Sequence, residues 1–215
     1  MTLTQAQKQF LADAVIAGRA SQVEFQVPAS VTIAQAILES GWGAKHMGSA
    51  NNYFGIKAQT RNGHVTWGSI ATGFVTVPTR EVINGHSVTV QANFRSYKSM
   101  TDSFRDHGAF LRNNSNYAAA FKTRDGIAFA RAVAAGHYAT DPHYADTLVR
   151  IIRQHNLLQH DSGAANADTA RNGGTDVGTG TGADAGADAH SGMETNPGAE
   201  AGTHTGVDVD GRRDR

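Results

Sequence analysis

VTIAQAILESGWGAKHMGSANNYFGIK, residues 31–57, is the stretch whose reading decides the fold. Val31 to Leu38 is apolar or small except at Thr32 and Gln35, which predicts a helix buried on most sides. An acid, Glu39, follows at once, and then Ser40-Gly41-Trp42-Gly43. Gly41 suits the left-handed position just past a helix end. Glu39 then falls in the last turn, at the negative end of the helix dipole, where ionisation is disfavoured. Desolvation by apolar neighbours, Trp42 among them, acts in the same direction. The expected carboxyl stays protonated near neutral pH, as a general acid must. The bland competitor is a surface acid that happens to end a helix. Asn51-Asn52-Tyr53-Phe54-Gly55-Ile56-Lys57 then combines aromatics, amides and a glycine, a mix that suits the wall of a sugar site and also an ordinary turn.

Upstream, Thr4 can cap a helix running to about residue 24, with Phe10, Leu11, Ala14 and Val15 at helical spacing and Gly18 weakening its middle. Pro28 suits the first turn of the helix that ends at Glu39. Downstream, residues 41–70 read as one long loop. From Thr72 to Tyr97 the period changes to two, and Asn84-Gly85 marks a hairpin turn. A two-residue turn pairs Ile83 with His86, Val82 with Ser87 and Glu81 with Val88, and Pro78 demotes its strand to an edge or a bulge. Ser99 caps a helix with Phe104, Gly108 and Leu111 on one face, and a short helical piece follows near Tyr117 to Phe121. Asp125 caps another helix that Gly136 stops. Asp141-Pro142 opens a last one through about His155, with Tyr144, Leu148, Ile151 and Ile152 inward. Helices with one segregated hairpin indicate an α+β domain of lysozyme type, a mainly helical lobe and an inserted β-hairpin lobe with a cleft between them.

The 215 residues carry equal numbers of acids and bases, but unevenly. Residues 161–215 hold ten acids against four bases, net −6, so residues 1–160 are net +6. A basic body suits an anionic polymer such as bacterial wall or nucleic acid, and equally a plain soluble domain. Half of the 24 glycines fall in the last 55 residues, which contain no Phe, Trp, Tyr, Leu or Ile. Such a segment cannot bury enough apolar area to fold. The expected organisation is a domain over 1–160 and a disordered Gly/Ala/Asp/Thr-rich tail over 161–215. With no cysteine, disulfides, cysteine nucleophiles and thiolate metal sites are excluded. The ten histidines form no HExxH pair, and no metal or other cofactor is expected. No run approaches a membrane span, and the N-terminus lacks the pattern of a signal peptide.

Four segments in order carry a resemblance: AILESGWG at 36–43, NNYFGIK at 51–57, VPTREVINGHSVTVQANFRSYKS at 77–99 and HYATDPHYADTLVRII at 137–152. Together they resemble the peptidoglycan N-acetylglucosaminidases of glycoside hydrolase family 73, over roughly residues 4–157. The resemblance implies a peptidoglycan hydrolase cutting the glycan strand as an endo-β-N-acetylglucosaminidase, with Glu39 as general acid. Glycoside hydrolysis usually needs two carboxyl groups. Residues 1–160 contain only three glutamates, and Glu24, at the end of the first helix, is expected in solvent. Glu81 matches the acid of the family's T-x-E-x-x-x-G hairpin pattern, where it is implicated as base or electrostatic partner; an edge acid that discourages strand pairing is the alternative. Tyr138 aligns with a cleft tyrosine that could serve the rival, substrate-assisted mechanism, in which the sugar's acetamido group attacks its own anomeric carbon. Trp42, Asn52, Tyr53, Phe54 and Tyr144 complete the expected substrate-binding set, with core packing as the alternative for Trp42 and Tyr53. Asp141 is expected to be a cap rather than a catalyst.

The rival functions are a muramidase or lytic transglycosylase on the same polymer, and a non-catalytic wall-binding component. The expected partner is the peptidoglycan glycan strand, with no nucleic acid, no membrane insertion and a monomeric state. The expected place of action is the cell wall, periplasmic or extracellular, reached through phage lysis, a secretion system or a flagellar export route.

Overall fold

The computed structural model describes residues 2–83 and 86–161. The expected tail, apart from Asp161, and the Asn84-Gly85 turn lie outside the described residues. The chain runs through α1 (Gln5–Phe25), α2 (Ala29–Ser40), the short strands β1 (Gln59–Arg61) and β2 (His64–Thr66), the long strands β3 (Gly73–Ile83) and β4 (His86–Ser96), and then α3 (Met100–Asn113), α4 (Gly126–Ala135) and α5 (Tyr144–Gln154).

Thr4 starts α1 with a full capping box: its hydroxyl accepts from the Gln7 N–H at 3.2 Å, and the Gln7 side chain accepts from the Thr4 N–H at 3.0 Å. Gly18 does not weaken this helix to no purpose. A Cβ there would meet Ile33 at 3.1 Å, so the glycine is what lets α2 lie close against α1. Gly108 plays the same part between α1 and α3, where a Cβ would meet Ser21 and Phe25.

α2 is the centre of the core, and every residue from Ala29 to Ile37 is buried. Gly41 ends it with φ 56°, and the following Trp42 N–H reaches back to Ile37 O at 3.1 Å. Pro28 stands at the cap position rather than inside the first turn and offers no side-chain bond. Caps come instead from α1, where Gln22 Oε1 accepts from the Ala29 N–H at 3.2 Å, and from the far end of the domain. Asp161 accepts from the Ser30 N–H at 2.7 Å and from the Ser30 hydroxyl at 2.8 Å.

The β lobe is richer than a single hairpin. β3 and β4 pair antiparallel in the expected register, Ile83 with His86 and Glu81 with Val88. β3 has β4 as its one described neighbour, so Pro78 sits in an outer strand where a missing N–H is tolerated. The region expected to be loop contains β1 and β2, joined by Asn62-Gly63 at φ 49° and 79°. This is the same dipeptide that marks the larger hairpin.

One polar cluster fastens this lobe to α3, and a second fastens the 52–56 loop to β4. Arg95 of β4 makes two bonds to Asp106 of α3, at 3.1 and 2.9 Å, and the Tyr97 hydroxyl donates to the same carboxylate at 2.7 Å. Asn52 donates to Ile56 O and Arg95 O and accepts from the N–H groups of Phe54 and Ile56. α5 begins at Tyr144, two residues after Pro142. The Asp141 side chain accepts from the His143 N–H at 2.8 Å and its carbonyl accepts from Tyr144, so Asp141 shapes the turn that leads into the helix.

Candidate active site

Glu39 stands one residue before the end of α2, half-buried, with its backbone held by a core helix. The Tyr144 hydroxyl, at the first residue of α5, donates to its Oε1 at 2.9 Å. Burial pushes the Glu39 carboxyl up from its ordinary 4.5 to about 7, and the bond from Tyr144 opposes that shift without cancelling it. At neutral pH a large fraction of this carboxyl keeps its proton.

The wall around the acid is made of tyrosines. Tyr138 and Tyr144 are 6% and 5% exposed and stack at 5.7 Å with their planes 16° apart. Burial and the nearby Glu39 hold both phenols well above their usual range, so both stay protonated. Gln35, one helical turn before Glu39 and fully buried, donates from Nε2 to the Tyr144 oxygen at 2.9 Å. Behind Tyr138 lies His107, fully buried, edge-on to Tyr138 at 5.9 Å and stacked on Phe54 at 4.0 Å. Burial pulls the His107 imidazole down to about 3, so it is neutral over the working range.

The expected site residues thus fall into two groups. Glu39, Tyr138 and Tyr144 meet at one place. Phe54 is buried against His107 and Phe104, and the amide of Asn52 is engaged with backbone on both its oxygen and its nitrogen. These two build the loop rather than line an opening. Trp42, at φ 61°, turns its ring edge-on to Phe10 and His155. Tyr53 is half-buried, stacked on His46 at 5.3 Å with Phe10 and Phe104 also against it, and is the less buried ring of the NNYF segment. Glu81 holds its expected register position in β3, in the same alternation as Val75, Val77 and Thr79; its side chain lies outside the described atoms. Glu24 is in an exposed bidentate pair with Arg105 at 2.6 and 2.8 Å, in keeping with a solvated role.

Sequence reasoning missed Gln35, His107 and the Arg95–Asp106 clamp. For Gln35 a signal existed, since it is the one long polar side chain in the buried run and precedes Glu39 by four residues. Among the described residues no group of three His, Asp or Glu is placed to hold a metal ion, and no helix is long and apolar enough to cross a membrane.

A half-buried acid at the end of a core helix, in a helical domain that carries an antiparallel hairpin lobe, is the arrangement of the lysozyme-like class of glycosidase folds. The same class appears among solved structures. The catalytic domain of the autolysin Auto from Listeria monocytogenes superposes with a TM-score of 0.62 at 29% identity, over 75% of this chain and 90% of that one. The chain belongs to the glucosaminidase family, whose model, described as mannosyl-glycoprotein endo-beta-N-acetylglucosaminidase, matches residues 16–157. It is 35% identical over 144 residues to the exo-glucosaminidase LytG of Bacillus subtilis, covering 64% of this chain and 48% of that protein. It is 39% identical over 155 residues to a probable N-acetylmuramidase of Lactococcus lactis, covering 68% and 33%. The chain therefore spans less than half the length of each of these two curated relatives.

Proposed function

We propose that this chain is a peptidoglycan hydrolase, an endo-β-N-acetylglucosaminidase that acts on the glycan strands of the bacterial cell wall with Glu39 as general acid. The observation that carries the reading is the Glu39 carboxyl, raised to about 7 by burial and fixed at 2.9 Å from the Tyr144 hydroxyl. Family membership and the relatives named above support the substrate class.

In this reading Glu39 gives its proton to the glycosidic oxygen as the bond from that oxygen to the anomeric carbon breaks. Positive charge develops on the sugar. Two groups can answer that charge. Glu81, near the tip of the β lobe, could take a proton from an attacking water. The substrate's own acetamido oxygen could instead attack the anomeric carbon, with Tyr138 shaping its position. Tyr53 offers its half-buried ring to a sugar face.

The test is mass spectrometry of purified peptidoglycan digested by the wild type and by Glu39→Gln. Fragments ending in reducing N-acetylglucosamine, absent with the variant, are the expected result. Reducing N-acetylmuramic acid would move the cut to the other bond, as the name of the Lactococcus lactis relative suggests for that protein. Release that is equal for both proteins would remove Glu39 from its role.

A further inference from the structure

Three groups stand in line at the end of α2. Gln35 Nε2 donates to the Tyr144 oxygen at 2.9 Å, and the Tyr144 oxygen lies 2.9 Å from Glu39 Oε1. A phenol has one hydrogen to give, whereas an amide nitrogen only donates. With the Gln35 N–H pointed at the phenol oxygen, the phenol's hydrogen is directed at Glu39. The Tyr138 ring, stacked at 5.7 Å, restrains the Tyr144 ring that carries this hydroxyl.

We propose that Gln35 is a positioning residue that acts through Tyr144: it fixes the direction of the Tyr144 hydroxyl, keeps Glu39 Oε1 an acceptor, and so confines the transferable proton to Oε2. The proposal rests on the general-acid reading of Glu39 and deepens it. A carboxylic acid has two oxygens, and a proton on the one engaged by Tyr144 is not free for a leaving group. Closing Oε1 to the proton leaves Oε2 as the acid.

The opposite arrangement is chemically possible, which gives the proposal its test. Gln35 Oε1 is buried without a hydrogen-bond partner. If the amide turned this oxygen to Tyr144, the phenol would donate to Gln35 and would accept from protonated Glu39. The proton would then sit on Oε1. The first arrangement favours the Glu39 carboxylate and the second favours the acid, so removing the relay shifts the Glu39 midpoint in opposite directions.

Other groups do not blur that sign. Among the described residues, the titratable side chains facing Glu39 are Tyr144 of α5 and Tyr138 of the preceding turn, both held protonated. Tyr117 and His107 reach Tyr138 from the 3-10 turn after α3 and from α3, and burial keeps the first protonated and the second neutral. Glu81 is the remaining acid of the β lobe.

The experiment is a carbon-13 NMR titration of the full chain labelled at its glutamate carboxyls. There are five, Glu24, Glu39, Glu81, Glu194 and Glu200, and Glu39→Gln identifies the resonance of interest. Gln35→Met is expected to raise the Glu39 midpoint from about 7 by about half a pH unit to one unit. Tyr144→Phe should raise it at least as far, and the double variant no further than Tyr144→Phe alone. The basic limb of kcat/KM on a glycan substrate should move up in step. A midpoint that stays or falls in Gln35→Met overturns the proposal. Tyr144→Phe carries the same sign test if Gln35→Met does not fold, since the reversed arrangement predicts a fall. The titration needs no substrate, so its sign can be read even if the peptidoglycan reading fails.

Discussion

The two walls of the proposed cleft are built on opposite plans. The helical wall presents Glu39 from a helix whose residues 29–37 are all buried, and ties the carboxyl to Tyr144 and Gln35. The β wall is two strands of 11 residues, with half-buried and exposed positions alternating along β3 from Gly73 to Arg80. Its anchorage is concentrated near its base, in the Arg95–Asp106–Tyr97 cluster and the Asn52 bonds. A group that must hold a shifted pKa is placed where packing fixes its surroundings. A group that must meet a bulky polymer can ride on an element held at one end.

The difference between the walls is tested most severely at the acid. Glu39→Gln keeps shape and removes the proton, and wall hydrolysis should fall by about 10²-fold or more, checked by release of soluble fragments. Stability should move the other way. The raised pKa means that the wild type loses stability as pH rises from about 4.5 to about 7, because the folded state holds this proton more tightly than the unfolded chain. The glutamine variant lacks that slope. Its advantage should be absent at pH 4 and reach at most about 3 kcal/mol above pH 8, read by denaturant unfolding at both values.

The next effect falls on the other wall. Asp106→Ala leaves the Arg95 guanidinium, 15% exposed, without its carboxylate and frees the Tyr97 hydroxyl. Breaking a buried pair on one side costs about 3 kcal/mol. Activity should drop with it, while the Glu39 midpoint measured by NMR stays in place. A shifted midpoint would show that the two walls are coupled rather than independently held.

How far the sequence reveals these walls follows the range over which each signal acts. Glu39 is legible because the apolar helix run, the acid and the stop glycine follow within a few residues, and the long hairpin because Asn84-Gly85 sits between alternating runs. The second hairpin is hidden although Asn62-Gly63 is the same dipeptide, since strands of three residues are too short to show alternation. Asn52 and Phe54 suit a sugar wall by type, but their polar and aromatic surfaces are spent on backbone and on His107. Trp42 is expected from sequence to desolvate Glu39; the structure turns it to Phe10 and His155, and Tyr138 and Tyr144 stand at the acid instead. Gln35 is visible as an oddity in an apolar run, yet its partner is 109 residues away, and no local pattern supplies that distance.

Asp161 gives the smallest and sharpest test. By charge and neighbours it belongs to the acidic tail, but its carboxylate caps the helix that carries Glu39 at its other end. Pro28 supplies no side-chain cap, and the nearby Gln22 side chain serves the Ala29 N–H rather than that of Ser30. Ending the chain after Asp161 should leave melting temperature and hydrolysis unchanged, because residues 162–215 contain no Phe, Trp, Tyr, Leu or Ile to contribute a core. Ending it one residue earlier removes an N-cap worth about 1 kcal/mol, and the melting temperature should fall by about 2–4 °C. Equal melting curves for the two truncations would mean that solvent serves the Ser30 N–H as well as Asp161 does. A loss already present in the longer truncation would mean that the tail packs on the body despite its composition.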